Sequence, residues 1–315
     1  MIRRRRQKAT NVHYGLLANK SSYSYSPTQI DRFVSAIQKN GSGYTVLEPR
    51  SAMELYQQGR MLVGLAEPDQ YVRRHLGRRG KVTTLIACGG DGTFNLASRI
   101  ALEAGIPVGS LPMGRFNNMM RSVISGPIDG DGMVERLVKL DYRHIDVGVV
   151  AGQQFFGSIG FGFVCQLTSM LAQARTPRFG IGWSQLGSRA AAEVEPRQMV
   201  IKVDSFRFEA TPTILNINLL PYSSGLSLSP GSRFDDRKLE IVFDIMPGNA
   251  DFSSYTRKLY GRKYEYGRDV RLYRGQSINI QPTNGLTMYL DGELVLVTSD
   301  MLTVALEEKQ LKVVC

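Results

Sequence analysis

The stretch "LIACGGDGTFN" (Leu85–Asn95) decides how this chain is read. Apolar residues with Cys88 lead into two glycines, an acid, a third glycine and a threonine, and helix-forming sequence follows at once. KVTTLIACGG reads as a buried strand, and TFNLASRIALEAG as a helix closed by Gly105. Glycines at such a turn let backbone N–H groups approach a phosphate closely, and the following helix adds its positive end. In open parallel sheets, ligands sit beyond the carboxyl ends of the strands. No GKS or GKT follows, so the turn is not a Walker loop, and its spacing is not GxGxxG. A tight strand–helix turn without a ligand would also use glycines.

Outward from this turn the pattern repeats. VHYGLLAN (Val12–Asn19) reads as a strand. SPTQIDRFVSAIQKNG reads as a helix, with Pro27 in its first turn and Gly41 past its end. YTVLEP is a short strand, SAMELYQQGR a helix capped by Ser51, IPVGSLPMG a strand running into glycine, and GMVERLVKL a helix. Alternating strands and helices predict a parallel sheet covered on both faces. From about Tyr142 the chain turns to strands: RHIDVGVVAG, QQFFGSIGFGF, RQMVIKVDSFRFEA, PTILNINLL, KLEIVFDIM, QSINIQP, LTMYLDGE and MLTVALEE. Only FVCQLTSMLAQAR and ADFSSYTRKLYG read as helices there. Many strands between turn residues predict an antiparallel sandwich. The expected class is α/β plus all-β: a three-layer parallel-sheet domain over residues 1–141, then a β-sandwich over 142–300. Residues 301–315 form a C-terminal segment whose QLKVVC end is able to return to the first domain or stay with the second.

A chain of 315 residues, 43% hydrophobic, can build two cores. Its 39 Lys and Arg against 28 Asp and Glu give +11, which suits a nucleic acid, a membrane surface or a phosphorylated ligand, or simply a basic soluble enzyme. Cys88, Cys165 and Cys315 lie far apart without a CxxC pair, which argues against a disulfide framework or zinc and for a reducing cytoplasm. The N-terminus reads as a basic tail before a strand, not a signal peptide, and no apolar run approaches the ~20 residues of a membrane span. YVRRHLGRRGK (Tyr71–Lys81) and YTRKLYGRKYEYGRDVRLYR (Tyr255–Arg274) are basic, the second interleaving five tyrosines with seven cations. Such a mixture suits a lipid headgroup boundary or a solvated basic face. No nucleic-acid-binding motif accompanies it, so no nucleic acid is expected.

The string GGDGT before a helix resembles the nucleotide loop of the superfamily of diacylglycerol kinase-like, NAD kinase-like and phosphofructokinase-like enzymes. These do without a P-loop lysine. LPMGRFNNMMRSV falls where the lipid-kinase branch has a P-x-G-T-x-N-D-like string. YRHIDVGVVAGQQFFGSIGFGF, with Asp146, looks like that branch's approach to its second domain. SPGSRFDDRKLEIV and LDGELV look like its P-x-A-x-x-D-D-G-x-L-x-V and D-G-E strings. In this order, from about Val12 to Val297, the matches make the chain similar to the bacterial diacylglycerol kinase-like lipid kinases.

The resemblance implies an NAD kinase/diacylglycerol kinase-like nucleotide domain and a sandwich that takes the lipid. It implies transfer of the γ-phosphoryl group, with ATP and Mg²⁺, to the hydroxyl of a lipid such as diacylglycerol. The alternative is a degenerate kinase that binds nucleotide or lipid without catalysis. Gly89, Gly90, Asp91, Gly92, Thr93 and Asn95 would line the ATP phosphates, with Asp91 acting on Mg²⁺ and the transferred group. Gly114, Arg115 and Asn117 of the second string and Thr45 of YTVLEP would join the nucleotide site. Glu293 would be the general base. Asp236, with the main-chain carbonyls of Arg233 and Lys238, would hold a structural Mg²⁺. The implied partners are a lipid substrate and an anionic membrane surface, met peripherally from the cytoplasm, and a homodimer stays open. Each role has a plainer rival: Asp91 as cap of the helix after it, Glu293 as a solvated turn residue, and Asp235–Asp236 as an exposed acidic turn. His13, His75 and His144 lie in unlike contexts and receive no catalytic role.

The chain departs from the family pattern in three places. Arg115 and Asn118 stand where the family string has Thr and Asp, a local charge shift of +2. Arginine at a helix start can bind phosphate or fill the nucleotide's place, and losing the acid weakens a metal network. The first loop, NKSSYSYSP, lacks the family's glycine. Arg237 occupies the glycine position of Asp-Asp-Gly, which puts the structural metal in question if that position needs a positive φ.

Overall fold

The structure, a computed structural model, describes residues 12–77, 80–128, 130–173, 181–244 and 270–315. The chain divides into two compact units: Met1–Ile145 with Lys309–Cys315, and Asp146–Glu308.

In the first unit, β1 (His13–Ala18), α1 (Pro27–Lys39), β2 (Gly43–Leu47), α2 (Ala52–Val63), α3 (Gln70–Leu76), β3 (Thr84–Gly89), α4 (Asp91–Ala104), β4 (Val108–Pro112), α5 (Asn118–Val123), α6 (Gly130–Lys139) and β5 (Tyr142–Ile145) follow one another. Every residue of β1, β3 and β4 is buried. Helices over both faces of a parallel sheet explain why these strands read as continuous apolar runs. β1, β2, β3 and β4 are parallel, with Gly15 opposite both Thr45 and Leu85. Local chemistry fixes the helix ends. Ser26 accepts from Gln29 N ahead of Pro27, and α1 buries Ile30, Phe33 and Ile37 on one stripe. Ser51 caps α2, and Gly105 closes α4 in the left-handed conformation.

The second unit carries β6 (Gly148–Val150), β7 (Gln153–Phe155), β8 (Ser158–Gly162), α7 (Phe163–Gln173), α8 (Ile181–Ala192), β9 (Met199–Val203), β10 (Phe206–Ala210), β11 (Ile214–Asn218), β12 (Tyr222–Ser223), β13 (Leu226–Ser227), β14 (Leu239–Asp244), β15 (Val270–Gly275), β16 (Ser277–Gln281), β17 (Thr287–Leu290), β18 (Glu293–Leu296) and β19 (Leu302–Leu306). Two six-stranded sheets run in the orders β10-β9-β16-β19-β6-β7 and β15-β14-β11-β8-β17-β18, all antiparallel. Together the two units give the expected α/β plus all-β class.

The last strand, β20 (Leu311–Val314), lies between β4 and β5 in the first sheet, parallel to β4 and antiparallel to β5. This moves the expected boundaries at 141 and 301. Tyr142–Ile145 stay with the first unit because β5 pairs with β20. Residues 302–306 stay with the second because β19 pairs with β16 and β6.

Two helices, α3 and α8, were not expected: α3 is short, and α8 contains Gly182 and Gly187, which weaken a helical pattern, while the helix start expected at Arg115 falls at Asn118, the first residue of α5. QQFFGSIGFGF, expected as one strand, breaks into β7 and β8. The expected helix ADFSSYTRKLYG and most of the second basic stretch lie outside the described residues. Among the described residues, no helix is long and apolar enough to cross a membrane.

Candidate active site

The loops that follow β1, β3 and β4 meet at the carboxyl ends of those strands. Asn19 N donates to Cys88 O (3.0 Å), Met113 N to Gly89 O (2.8 Å) and Ser24 N to Met113 O (3.0 Å). Gly90 and Gly114 touch backbone to backbone: a Cβ on Gly114 would lie 2.4 Å from Gly90 Cα. Both positions therefore require glycine for close approach rather than for a turn. Gly114 N donates to Asn117 Oδ1 (2.9 Å), and Asn117 Nδ2 returns to Gly114 O (3.0 Å). Asn117 closes this ring from left-handed backbone, φ +52, which asparagine tolerates better than most residues.

Asp91 opens α4, but its carboxylate serves the neighbouring helix. Asp91 Oδ1 accepts from Asn118 N at 2.6 Å, the first residue of α5. Burial pushes this carboxyl up from the ordinary aspartate range, against the downward pull of backbone N–H groups of Asn118, Asn117, Met119 and Asp91 itself. So Asp91 is a cap, though of α5 rather than of α4. Thr93 is also inward: its Oγ1 accepts from Asn19 Nδ2 (3.0 Å), and it packs where a Cβ on Gly89 would stand. Asn95 is half-buried in the second turn of α4. The N-cap of α4, Gly90, brings no side-chain cap, the Asp91 N–H turns to its own carboxylate, and a Cβ on Gly92 would meet nothing within 4 Å. The start of α4 therefore presents bare backbone and its positive end to open space.

Arg115 lies over Tyr23, its guanidinium carbon 5.2 Å from the ring centroid. Two of the departures thus meet, the arginine of the third loop and a tyrosine of the glycine-poor first loop, as a cation–π pair. Thr45 does not join this group. It is buried in mid-strand, its hydroxyl 2.9 Å from His13 Nε2 and 3.5 Å from the His75 carbonyl to which it donates. A cleft of about 460 Å³ opens beyond β1 and β2, lined by Lys20, Ser21, Glu48, Arg50 and Tyr71 among others. Lys20 Nζ and Glu48 Oε2 pair across it at 2.6 Å. No motif announced it, because its walls come from three separate segments.

The remaining predicted residues belong to the second unit. Glu293 is exposed at the start of β18. A two-residue turn, Asp291 (φ +48) and Gly292 (φ +105), joins β17 to β18. Asp291 anchors that turn: its carboxylate accepts from Phe156 N (2.6 Å), Gly157 N (2.9 Å) and Ser158 N (2.8 Å). Sequence reasoning passed over Asp291. The available signal was an acid opening a DG turn next to a glycine-rich hairpin.

The Asp-Asp-Arg turn is where a structural Mg²⁺ was expected, on Asp236 and the main-chain carbonyls of Arg233 and Lys238. Asp236 Oδ1 accepts from Lys238 N (3.2 Å), and Arg233 Nε lies 3.8 Å from Asp235 Oδ1. Arg237 takes a positive φ of +58, as the glycine reading required, and its guanidinium reaches Asp146. Among the described residues, no group of three or more His, Cys, Asp or Glu side chains could hold a metal.

Residues 16–150, which contain all three loops, match the diacylglycerol kinase catalytic domain. Over that span the chain is similar to the diacylglycerol kinase-like lipid kinases. It is 27% identical over 217 residues to "Probable lipid kinase YegS-like" of Pseudomonas fluorescens, covering 67% of this chain and 71% of that one. It is 22% identical over 213 residues to the diacylglycerol kinase of Bacillus subtilis, covering 66% and 70%. A solved diacylglycerol kinase of Bacillus anthracis shares the fold with a TM-score of 0.70 at 16% identity, over 98% of both chains. An NAD kinase of Archaeoglobus fulgidus, solved with ATP, gives 0.52 at 11% identity, over 96% of this chain and 94% of that chain.

Proposed function

We propose that this protein is a lipid kinase and transfers the γ-phosphoryl group of MgATP to the hydroxyl of a membrane lipid such as diacylglycerol. The observation that carries the reading is the start of α4, whose N-cap Gly90 brings no side chain, with open space over Gly92. Backbone N–H groups there suit the phosphates, while Gly90 against Gly114 and the Asp91 cap on α5 hold the loops in register. The cleft lined by Lys20, Glu48 and Tyr71, at the same end of the sheet, suits the nucleoside. Arg115, steadied by Tyr23, adds a cation for the phosphates. Mg²⁺ carried by the nucleotide would neutralise charge on the β- and γ-phosphates.

Glu293 is the proposed base. Its carboxylate takes the proton of the lipid hydroxyl as the lipid oxygen bonds to the γ-phosphorus. The bond from that phosphorus to the β,γ-bridging oxygen breaks, and ADP leaves. The net charge of +11 supports docking on an anionic bilayer from the cytoplasmic side.

Purified protein with Mg²⁺, labelled ATP and vesicles carrying diacylglycerol, monoacylglycerol, a sphingoid base or a polyprenol tests the reading. Labelled phospholipid from one of them is expected. Nucleotide binding without transfer to any lipid would establish the non-catalytic alternative. No transfer and no thermal shift with any nucleotide would refute the kinase reading. Sedimentation with anionic against neutral vesicles tests the docking.

A further inference from the structure

Two acids line the cleft beyond β1 and β2, and their duties differ. Glu54 is committed to its own helix: Oε2 accepts from Arg50 N (2.8 Å) and Oε1 from Gln58 Nε2 (2.6 Å). Glu48 instead follows the last residue of β2 with its side chain exposed, and Lys20 Nζ meets it at Oε2 (2.6 Å). An exposed ion pair adds little to stability. One ammonium also does not exhaust a carboxylate, which accepts at both oxygens.

Sheet register fixes where Glu48 stands. Leu47, Leu17 and Ala87 are level across β2, β1 and β3. One step further along, Glu48 is level with Cys88, the residue before the glycines, two strand spacings or about 10 Å away. Asn19 ties the loop between them to that glycine turn, its N donating to Cys88 O (3.0 Å) and its Nδ2 to Thr93 Oγ1 (3.0 Å). Lys20 is the next residue, so the group that holds Glu48 is itself fastened to the start of α4.

The inference rests on the reading that phosphates lie at the start of α4 and the nucleoside in the cleft. A carboxylate repels phosphate and accepts from hydroxyls. The ribose hydroxyls are the donors that lie between the phosphates and the base. Tyr71, in the same cleft, is half-exposed and offers a ring face to the base. In doubly wound sheets with phosphate on a glycine turn, an acid held apart from that turn takes the ribose hydroxyl in this way.

We propose that Glu48, held in place by Lys20, reads the ribose hydroxyls, so that the protein takes a ribonucleoside triphosphate and discriminates against the deoxy forms.

Isothermal titration calorimetry of the full chain with the magnesium complexes of ATP, 2′-deoxy-ATP and 3′-deoxy-ATP tests this without lipid. A lost hydrogen bond to a charged acceptor costs about 10- to 100-fold in affinity, so at least one deoxynucleotide should bind wild type at least about 10-fold more weakly than ATP. Glu48→Ala should bind all three nucleotides within about twofold of one another, with the melting temperature unchanged because the pair is exposed. Lys20→Ala should narrow the preference and Lys20→Arg restore it; a full preference in Lys20→Ala overturns the positioning role. Wild type that binds ATP and both deoxynucleotides alike overturns the inference while leaving the phosphate site standing, as does Glu48→Ala that keeps the wild-type preference. No binding of any of the three overturns the kinase reading and this inference together.

Discussion

Alanine at two glycines of the proposed phosphate loops should separate packing from ligand contact. A Cβ on Gly114 would lie 2.4 Å from Gly90 Cα and 2.7 Å from Asn117 Oδ1, against 3.4 Å for ordinary contact. The shortfall is about 1 Å against a backbone atom, which has no rotamer to change. The two loops must part, and the Gly114–Asn117 ring must open. Overpacking of this kind costs about 1–3 kcal/mol. On a unit of about 150 residues that lowers melting by about 2–4 °C per kcal/mol, so about 5 °C. A displacement of about 1 Å at a reacting site costs about 100-fold in rate. Gly114→Ala should therefore lose both stability and transfer. Gly92→Ala should do the opposite on one count. Its methyl enters open space, and alanine in the first turn of α4 gains up to about 1 kcal/mol of helix propensity. Melting should hold or rise, while the methyl stands where the phosphates are proposed to lie and raises the KM for ATP. Calorimetry and initial rates against ATP read both variants. A Gly114→Ala enzyme with wild-type melting would mean that the loops do not meet as described. A Gly92→Ala enzyme with unchanged KM would move the phosphate site away from the start of α4.

Glu293→Gln should lower transfer by about 10²–10⁴-fold without moving the melting temperature, because Glu293 is exposed; an unchanged rate removes it as the base. Asp291→Ala strips the acceptor from three backbone N–H groups, so calorimetry should show a loss of about 3 kcal/mol, and a neutral effect would mean that the turn does not depend on them. Asp91 has a raised folded pKa, so its contribution is fully present below the unfolded value of about 3.9 and is lost as pH rises through the folded value. Asp91→Asn should then be at least as stable as wild type at pH 7, with the difference closing as pH falls towards about 4; a large loss at pH 7 contradicts the direction of the shift. Burial pushes the Cys165 thiol up to about 12 and that of Cys88 higher still, while Cys315 is only half-buried. Iodoacetamide at pH 8 followed by mass spectrometry should therefore label Cys315 first, and early labelling of Cys88 would contradict its burial.

What could be read from the sequence is what local chemistry fixes. The continuous apolar runs of β1, β3 and β4, the caps Ser26 and Ser51 and the glycines after β3 each sit within a few residues of the structure they specify. What could not be read is which atom faces which across the fold. Asp91 meets Asn118, Asp291 meets Phe156–Ser158, and Arg237 meets Asp146. Each pairing joins distant parts of the chain, and in each the carboxylate fastens backbone rather than standing open to a ligand. Thr45 shows the same gap: a threonine on the right strand is buried at the wrong height on it. The departures from the family pattern are the sharper case. In the sequence, Arg115, the tyrosine-rich first loop and Arg237 look like separate losses of glycine or threonine. In the structure each arginine has a partner in its own unit, Tyr23 for Arg115 and Asp146 for Arg237. An added cation with a fixed partner narrows the conformations of its loop, whereas an unpartnered one would widen them. The loops at the start of α4 and at the Asp-Asp-Arg turn are therefore held by substitutions that read, one at a time, as damage.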